Sequence, residues 1–165
     1  MKPDRFLMGI LAGIGLLVAL ALALFFLRRG SQAYGPEDSP SGVVRNYILA
    51  VTQGDYERAY RYLAEGENKP TYAVFTRAFL TQQIDPASTA VQIGETLYTS
   101  KVSALVDLIL IHAGSGPFDE SYREPFQAVL VLDTTASAWK IERMPYPYWA
   151  FDWYTPQSIP AKPLP

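Results

Sequence analysis

The sequence contains no cysteine. That excludes disulfides, a lipid-modified N-terminal cysteine, thiolate metal sites and thiol nucleophiles together. It says nothing about compartment, because a domain of this size folds on its hydrophobic core without disulfides. Histidine is nearly absent too. With His112 alone, a histidine-based metal cluster is impossible and a single His–carboxylate dyad is the most that can form. Positive charge is scarce after the first segment: from Tyr34 onward 10 Lys and Arg face 15 Asp and Glu, a balance of −5. The basic residues are scattered singly, whereas a phosphate-binding surface needs them clustered, so nucleic acid is not an expected partner. No nucleotide, cofactor or metal fingerprint and no internal repeat is present. The 165 residues leave no room for a second domain beside a membrane segment.

What the sequence does have is one long apolar run. Phe6–Leu27 is entirely apolar or glycine, and its 22 residues span roughly 33 Å as a helix, enough for a hydrocarbon core of about 30 Å. A cleavable signal peptide has a shorter apolar core followed by a small-residue site, whereas this run ends in Phe25-Phe26-Leu27-Arg28-Arg29. The expectation is an uncleaved single-pass anchor in the lipid bilayer of the cell membrane. Lys2 and Arg5 before it balance Arg28 and Arg29 after it. The acidic linker and downstream negative charge then favour an inside N-terminus and an extracytoplasmic domain. Gly9 and Gly13, four apart, form the small-residue spacing that lets two transmembrane helices approach; the bland reading is that glycine is common in such helices.

Four segments follow from these features: an anchor with its flanks (1–29), a flexible linker (30–42), one folded domain (43–154) and a Pro-rich tail (155–165). Within the domain, Ser39 or Ser41 caps a helix whose Val43, Val44, Tyr47, Ile48 and Val51 share a face up to Gly54. Asp55 caps a second, with Tyr56, Ala59, Tyr60 and Leu63 on one face before Gly66. Pro70-Thr71 opens a third, through Phe75 and Phe79. After Ala87 the period becomes that of strands, at about 90–98, 101–112, 122–132 and 138–143. Connections this short make an antiparallel meander. Strands two and three are apolar on both alternations, so both faces of the sheet are expected to be covered, the second by the C-terminal segment or another subunit.

Helix, Gly54-Asp55-Tyr56, helix, third helix and a sheet closing on Trp139-Lys140-Ile141 form a pattern that resembles the nuclear transport factor 2-like (cystatin-like) superfamily. Within it, the chain is similar to small bacterial domains carried on an N-terminal membrane anchor. Val43–Ile48, Gly54–Tyr60 and Trp139–Ile141 carry the likeness, which covers roughly Ser41 to Met144. The resemblance implies an α+β cone: three N-terminal helices packed on a curved four-stranded antiparallel sheet, preceded by one transmembrane helix. It also implies that any site lies at the cone's mouth. It does not imply an activity, because the superfamily includes dehydratases, isomerases, cyclases and non-catalytic modules.

Two residues are weak catalytic candidates. Asp107 lies between Val106 and Leu108, where burial would raise its pKa or cost several kcal/mol; the bland alternative is an outward side chain paired with a neighbouring strand. His112 is five residues further on, an odd separation that puts the two on opposite faces of a regular strand. The most unusual stretch supplies Tyr146, Tyr148, Trp149, Phe151, Trp153 and Tyr154 within nine residues. Fully exposed, these would make an aggregation-prone patch. Four covers are open to them: the sheet as its second layer, a homodimer or membrane-associated partner, the bilayer headgroups, or a stacked ligand.

The reading that follows is a membrane-tethered, non-catalytic module binding another protein or a small apolar molecule. The alternatives are a dehydratase- or isomerase-like enzyme using an acidic residue in the cone, and a structural dimerisation domain of a membrane complex.

Overall fold

The computed structural model describes residues 5–28, 33–112 and 121–155. The expected 114–120 loop, the tail beyond Thr155 and linker residues 30–32 lie outside them. The chain forms two compact units, 1–33 and 34–165.

In the first unit, α1 runs from Arg5 to Arg28. Among the described residues no helix is long and apolar enough to cross a membrane; the side chains of α1 are described over 10, 11 and 13–23 only. The surroundings of Gly9 lie outside these. An added Cβ at Gly13 would meet nothing within 4 Å in the single chain.

The second unit opens with Tyr34–Ser39, expected to be part of a free tether and in fact pinned to the helices behind it. The reason is Asn46 of α2 (Pro40–Gln53), fully buried, whose Oδ1 accepts the Gly35 N–H and whose Nδ2 donates to the Gly35 carbonyl, both at 2.9 Å. Tyr34 Oη donates to Asp55 Oδ2 at 3.0 Å, and the Arg58 guanidinium lies 3.6 Å over the Tyr34 ring. Glu37 receives Tyr62 Oη at 2.6 Å and Arg58 Nη2 at 2.7 Å. The Tyr62 hydroxyl does most to hold the Glu37 carboxyl below its usual pKa; burial opposes it, and the Arg58 hydrogen bond and charge add to the lowering. Gly42 has no side chain for a steric reason: a Cβ there would collide with the Pro36 carbonyl oxygen.

The helices start where side-chain oxygens cap them. Ser39 Oγ accepts Gly42 N–H, Asp55 Oδ1 accepts Arg58 N–H ahead of α3 (Tyr56–Arg61), and Thr71 Oγ1 accepts Val74 N–H ahead of α4 (Tyr72–Leu80). Gly54 ends α2 at φ 75°, a left-handed cap. Helix α3 is shorter than the periodicity predicts. Its continuation is recruited by the sheet instead: Ile141 N–H donates to the Tyr62 carbonyl (2.7 Å) and Ala64 N–H to the Ile141 carbonyl (2.8 Å), a parallel bridge at Leu63.

Strands β1 (Thr89–Tyr98), β2 (Ser103–His112), β3 (Tyr122–Asp133) and β4 (Ala138–Arg143) form the expected antiparallel meander in the order β1-β2-β3-β4. One face carries Val106, Leu108, Leu110, Ala128, Leu130 and Ile141 into a core shared with Val43, Val44, Tyr47, Phe75 and Phe79. The opposite face, with Leu105, Ile109, Ile111, Val129 and Val131, is only half-buried. The expected second layer is thus not found among the described residues: the C-terminal aromatic segment packs on the helix side.

Candidate functional site

The segment after β4 explains where a site can be. Pro145 and Pro147 lack the N–H groups a ladder needs, so β4 pairs with β3 only over Val129–Asp133 and the chain then turns away. Two consequences follow. Residues 122–128 of β3 keep an edge that β4 does not pair, and the departing segment folds across the open end of the cone.

Three of its aromatics become core. Trp153 is 5 % exposed, with ring centroids 5.1 Å from Phe75, 6.1 Å from Phe79 and 5.1 Å from Trp149. Trp149 reaches Tyr47 at 6.4 Å. Tyr148 is buried, its hydroxyl donating to the Thr89 carbonyl at 2.9 Å while its own carbonyl accepts the Tyr47 hydroxyl at 2.7 Å. Burial pushes the Tyr148 hydroxyl up to about 12 and raises that of Tyr47 strongly. Tyr154, half-buried, stacks on Trp149 at 5.6 Å and donates to the Ala64 carbonyl at 2.5 Å; burial raises its pKa also. Tyr146 and Phe151 differ. They stack on each other at 5.4 Å and 12° and stand in solvent, Phe151 81 % exposed.

Between the free part of β3 and this segment runs an open groove of about 1630 Å³. Its exposed aromatics are Tyr122 and Phe126 from β3 and Tyr146 and Phe151 from the far wall. Asp85, Asp107, Glu124 and Glu142 also line it, against Arg143 and His112, so the groove is acidic on balance. A smaller dent of about 280 Å³ beside Phe151 is bounded by Gln83, Ile84 and Asp152.

The two catalytic candidates do not converge. Asp107 is exposed on the half-buried face of the sheet, accepting Gln127 Nε2 at 2.9 Å across the β2–β3 pair. Gly94 faces it from β1, where a Cβ would come 3.2 Å from the Asp107 Cβ. The β2–β3 register runs without a break, so His112 points to the other face. There it stacks on Tyr122 (4.4 Å, 14°), with Nδ1 3.3 Å from Thr89 Oγ1 and Nε2 3.6 Å from Glu124 Oε2. His112 Nε2 is buried and makes no hydrogen bond among the described residues. The carboxylate beside His112 is therefore that of Glu124 and not that of Asp107. Among the described residues no three His, Asp or Glu are placed to hold a metal ion.

Reasoning from sequence missed Glu124, Thr89, Tyr122 and Phe126. Hairpin register held the signal for two of them: once His112 and Tyr122 face each other, Glu124 becomes the diagonal neighbour.

No family model matches the chain. Nor does any curated protein. Similar solved structures include an NTF-2 like protein of unknown function from Shewanella oneidensis, with 14% identity over 60% of this chain and 88% of that one (TM-score 0.43). A ketosteroid isomerase-like protein from Erwinia carotovora atroseptica has 16% identity over 61% and 86% (TM-score 0.42). A Mycobacterium tuberculosis protein in complex with estradiol-17beta-hemisuccinate has 14% identity over 67% and 93% (TM-score 0.38). At these identities and scores the likenesses assign neither family nor activity.

Proposed function

We propose that the chain is a membrane-tethered, non-catalytic module that binds a protein partner along the groove between β3 and the aromatic segment. The observation that supports this is the division of the aromatics. Tyr148, Trp149 and Trp153 are spent on the core that the sheet shares with the helices. Tyr146 and Phe151, with Tyr122 and Phe126 opposite, remain exposed around an acidic groove. Enriched aromatics at a concave surface are what a protein interface uses as anchors. An enzyme using Asp107 as base is disfavoured, because that carboxylate is solvated and faces away from the core.

In this proposal the tether is the apolar run Phe6–Leu27 and the domain lies outside the cytoplasm; the length of that run and the acidic balance after it support the reading. Alkaline carbonate extraction is the check: the chain stays with the membrane pellet, and deletion of 6–27 releases it. Release of the intact chain would remove the tether.

The partner reading is tested by a photocrosslinking amino acid at position 151 in intact cells, with the same group at exposed Glu67 as control. A discrete higher-mass adduct from 151 alone is expected. Equal background from both positions would overturn the reading.

A second reading, self-association through Leu105, Ile109, Ile111, Val129 and Val131, is favoured by their incomplete burial. Light scattering on the detergent-solubilised chain separates the two: a dimer that Ile109→Lys dissociates supports self-association, and a monomer excludes it.

A further inference from the structure

The domain holds two of its own cations in one way. The Arg58 guanidinium lies 3.6 Å over the Tyr34 ring and donates to Glu37 Oε1 at 2.7 Å. The Lys69 ammonium lies 4.6 Å over the Tyr60 ring and donates to Glu65 Oε1 at 2.6 Å. In each case the ring face attracts the cation through its quadrupole, and the carboxylate through its full charge. The groove offers the same two acceptors on one strand. Tyr122, Glu124 and Phe126 stand opposite His112, Leu110 and Leu108, so they share a face of β3, about 7 Å from one to the next, with the carboxylate in the middle. All three are open to solvent: Tyr122 is 59 % exposed, Phe126 37 % and the Glu124 side chain 49 %. From these facts we infer that the partner segment is a basic one, extended along the unpaired stretch of β3, with arginine side chains laid over Tyr122 and Phe126 and bonded to Glu124.

Charge, shape and length agree. Asp85, Asp107 and Glu142 line the same groove against Arg143 and His112, so its field favours a cation along its whole length. Arginine suits the site better than lysine, because a planar guanidinium can stack on a ring while donating two parallel bonds to one carboxylate. Tyr146 and Phe151 on the far wall give the aliphatic stems of such side chains an apolar surface. The groove, at about 1630 Å³, is larger than the roughly 300–1,000 Å³ of a small-molecule pocket. Residues 122–128 extend over about 23 Å, so the occupant that fits is a stretch of polypeptide and not a small organic cation. Pro125 has no N–H to offer an added strand, which leaves recognition to the side chains.

The inference rests on the groove taking a protein partner and adds the chemistry of that partner. The test uses the intact chain, with its N-terminal helix, in a nonionic detergent at about 0.15 M salt, where charges further off than about 8 Å are screened. The probe is a fluorescein-labelled synthetic peptide of about ten residues in which arginine and alanine alternate, so that its arginines fall on one side at the spacing of Tyr122, Glu124 and Phe126. A companion peptide carries citrulline at every arginine, which keeps the planar shape and removes the charge. Anisotropy is expected to show the arginine peptide binding at least about tenfold more tightly than the citrulline peptide. Glu124→Gln and Phe151→Ala each weaken the arginine peptide by about tenfold. Glu57→Gln, the same loss of charge on exposed surface outside the groove, changes binding by less than about twofold. Far-UV circular dichroism stays unchanged in the three variants, as all three side chains are exposed.

An equal loss in Glu57→Gln and Glu124→Gln would overturn the inference in favour of the general negative charge of the domain. Equal binding of the arginine and citrulline peptides would also overturn it and leave the groove as a surface for a segment of other chemistry. If neither peptide binds, the inference fails, and the crosslink from position 151 decides separately whether the groove takes a partner at all.

Discussion

Phe151 and Trp153 lie two residues apart and have opposite environments, the one in solvent and the other against Phe75, Phe79 and Trp149. Trp153→Ala is expected to cost about 3–5 kcal/mol, the usual loss for emptying a buried aromatic site. Against a total stability of about 5–15 kcal/mol, that is enough to unfold much of the population. Phe151→Ala is expected to change stability by less than about 0.5 kcal/mol. Thermal denaturation of the two variants checks both values. Sequence alone located the cluster and could not sort it. The segment has neither helical nor strand period, so no face can be assigned until the turns at Pro145–Ala150 are known. Tyr148 adds a pH dependence whose sign is fixed. Its folded pKa, about 12, lies above the ordinary tyrosine value of about 10. The folded state therefore holds the proton more tightly, the stabilisation is complete below about pH 10, and it is lost as pH rises towards 12; the Tyr47 shift runs the same way. Circular dichroism across pH 8 to 12 should be flat first and then fall.

Helix and strand boundaries were the most legible part of the chain, because they are written locally. Ser39, Asp55 and Thr71 each cap the helix they precede, and the hairpin connections imposed the meander. The end of α3 was not legible: Tyr62–Ala64 gives up helical bonds for Ile141, some 80 residues away, and periodicity cannot see such a partner. The same holds for the 34–39 segment, whose composition is that of a linker and whose fixation depends on Asn46 and Gly42. Gly42→Ala is expected to destabilise by about 1–3 kcal/mol, since the new methyl must push the Pro36 backbone away. Faster amide exchange at Gly35 in the variant would assign that loss to the detached segment; unchanged exchange would contradict the clamp.

For the whole molecule, acid and base should act at different places. The depressed Glu37 carboxyl favours the folded state above its unfolded pKa of about 4.3, a contribution lost as pH falls through its lower folded value. Because Glu37 is half exposed the effect is small, and Tyr34–Ser39 should loosen in acid before the sheet core does, which residue-resolved exchange at pH 3 and pH 6 can order. The site was less legible than the fold for one reason. A fold is encoded in short-range pattern, whereas this groove is made by Tyr122 and Phe126 meeting Tyr146 and Phe151 across strands that pair incompletely.

The closing of the core by Trp149 and Trp153 also bears on how the protein is made. Tyr47 is translated about a hundred residues before Trp153, an interval of roughly 5–20 s at 5–20 residues per second. In its last part, after Ile111 has been added, the Leu105–Ile111 strand waits without the indole rings that complete its core. Newborn chains should therefore engage chaperones late and leave them abruptly, once the last tryptophan clears the ribosome.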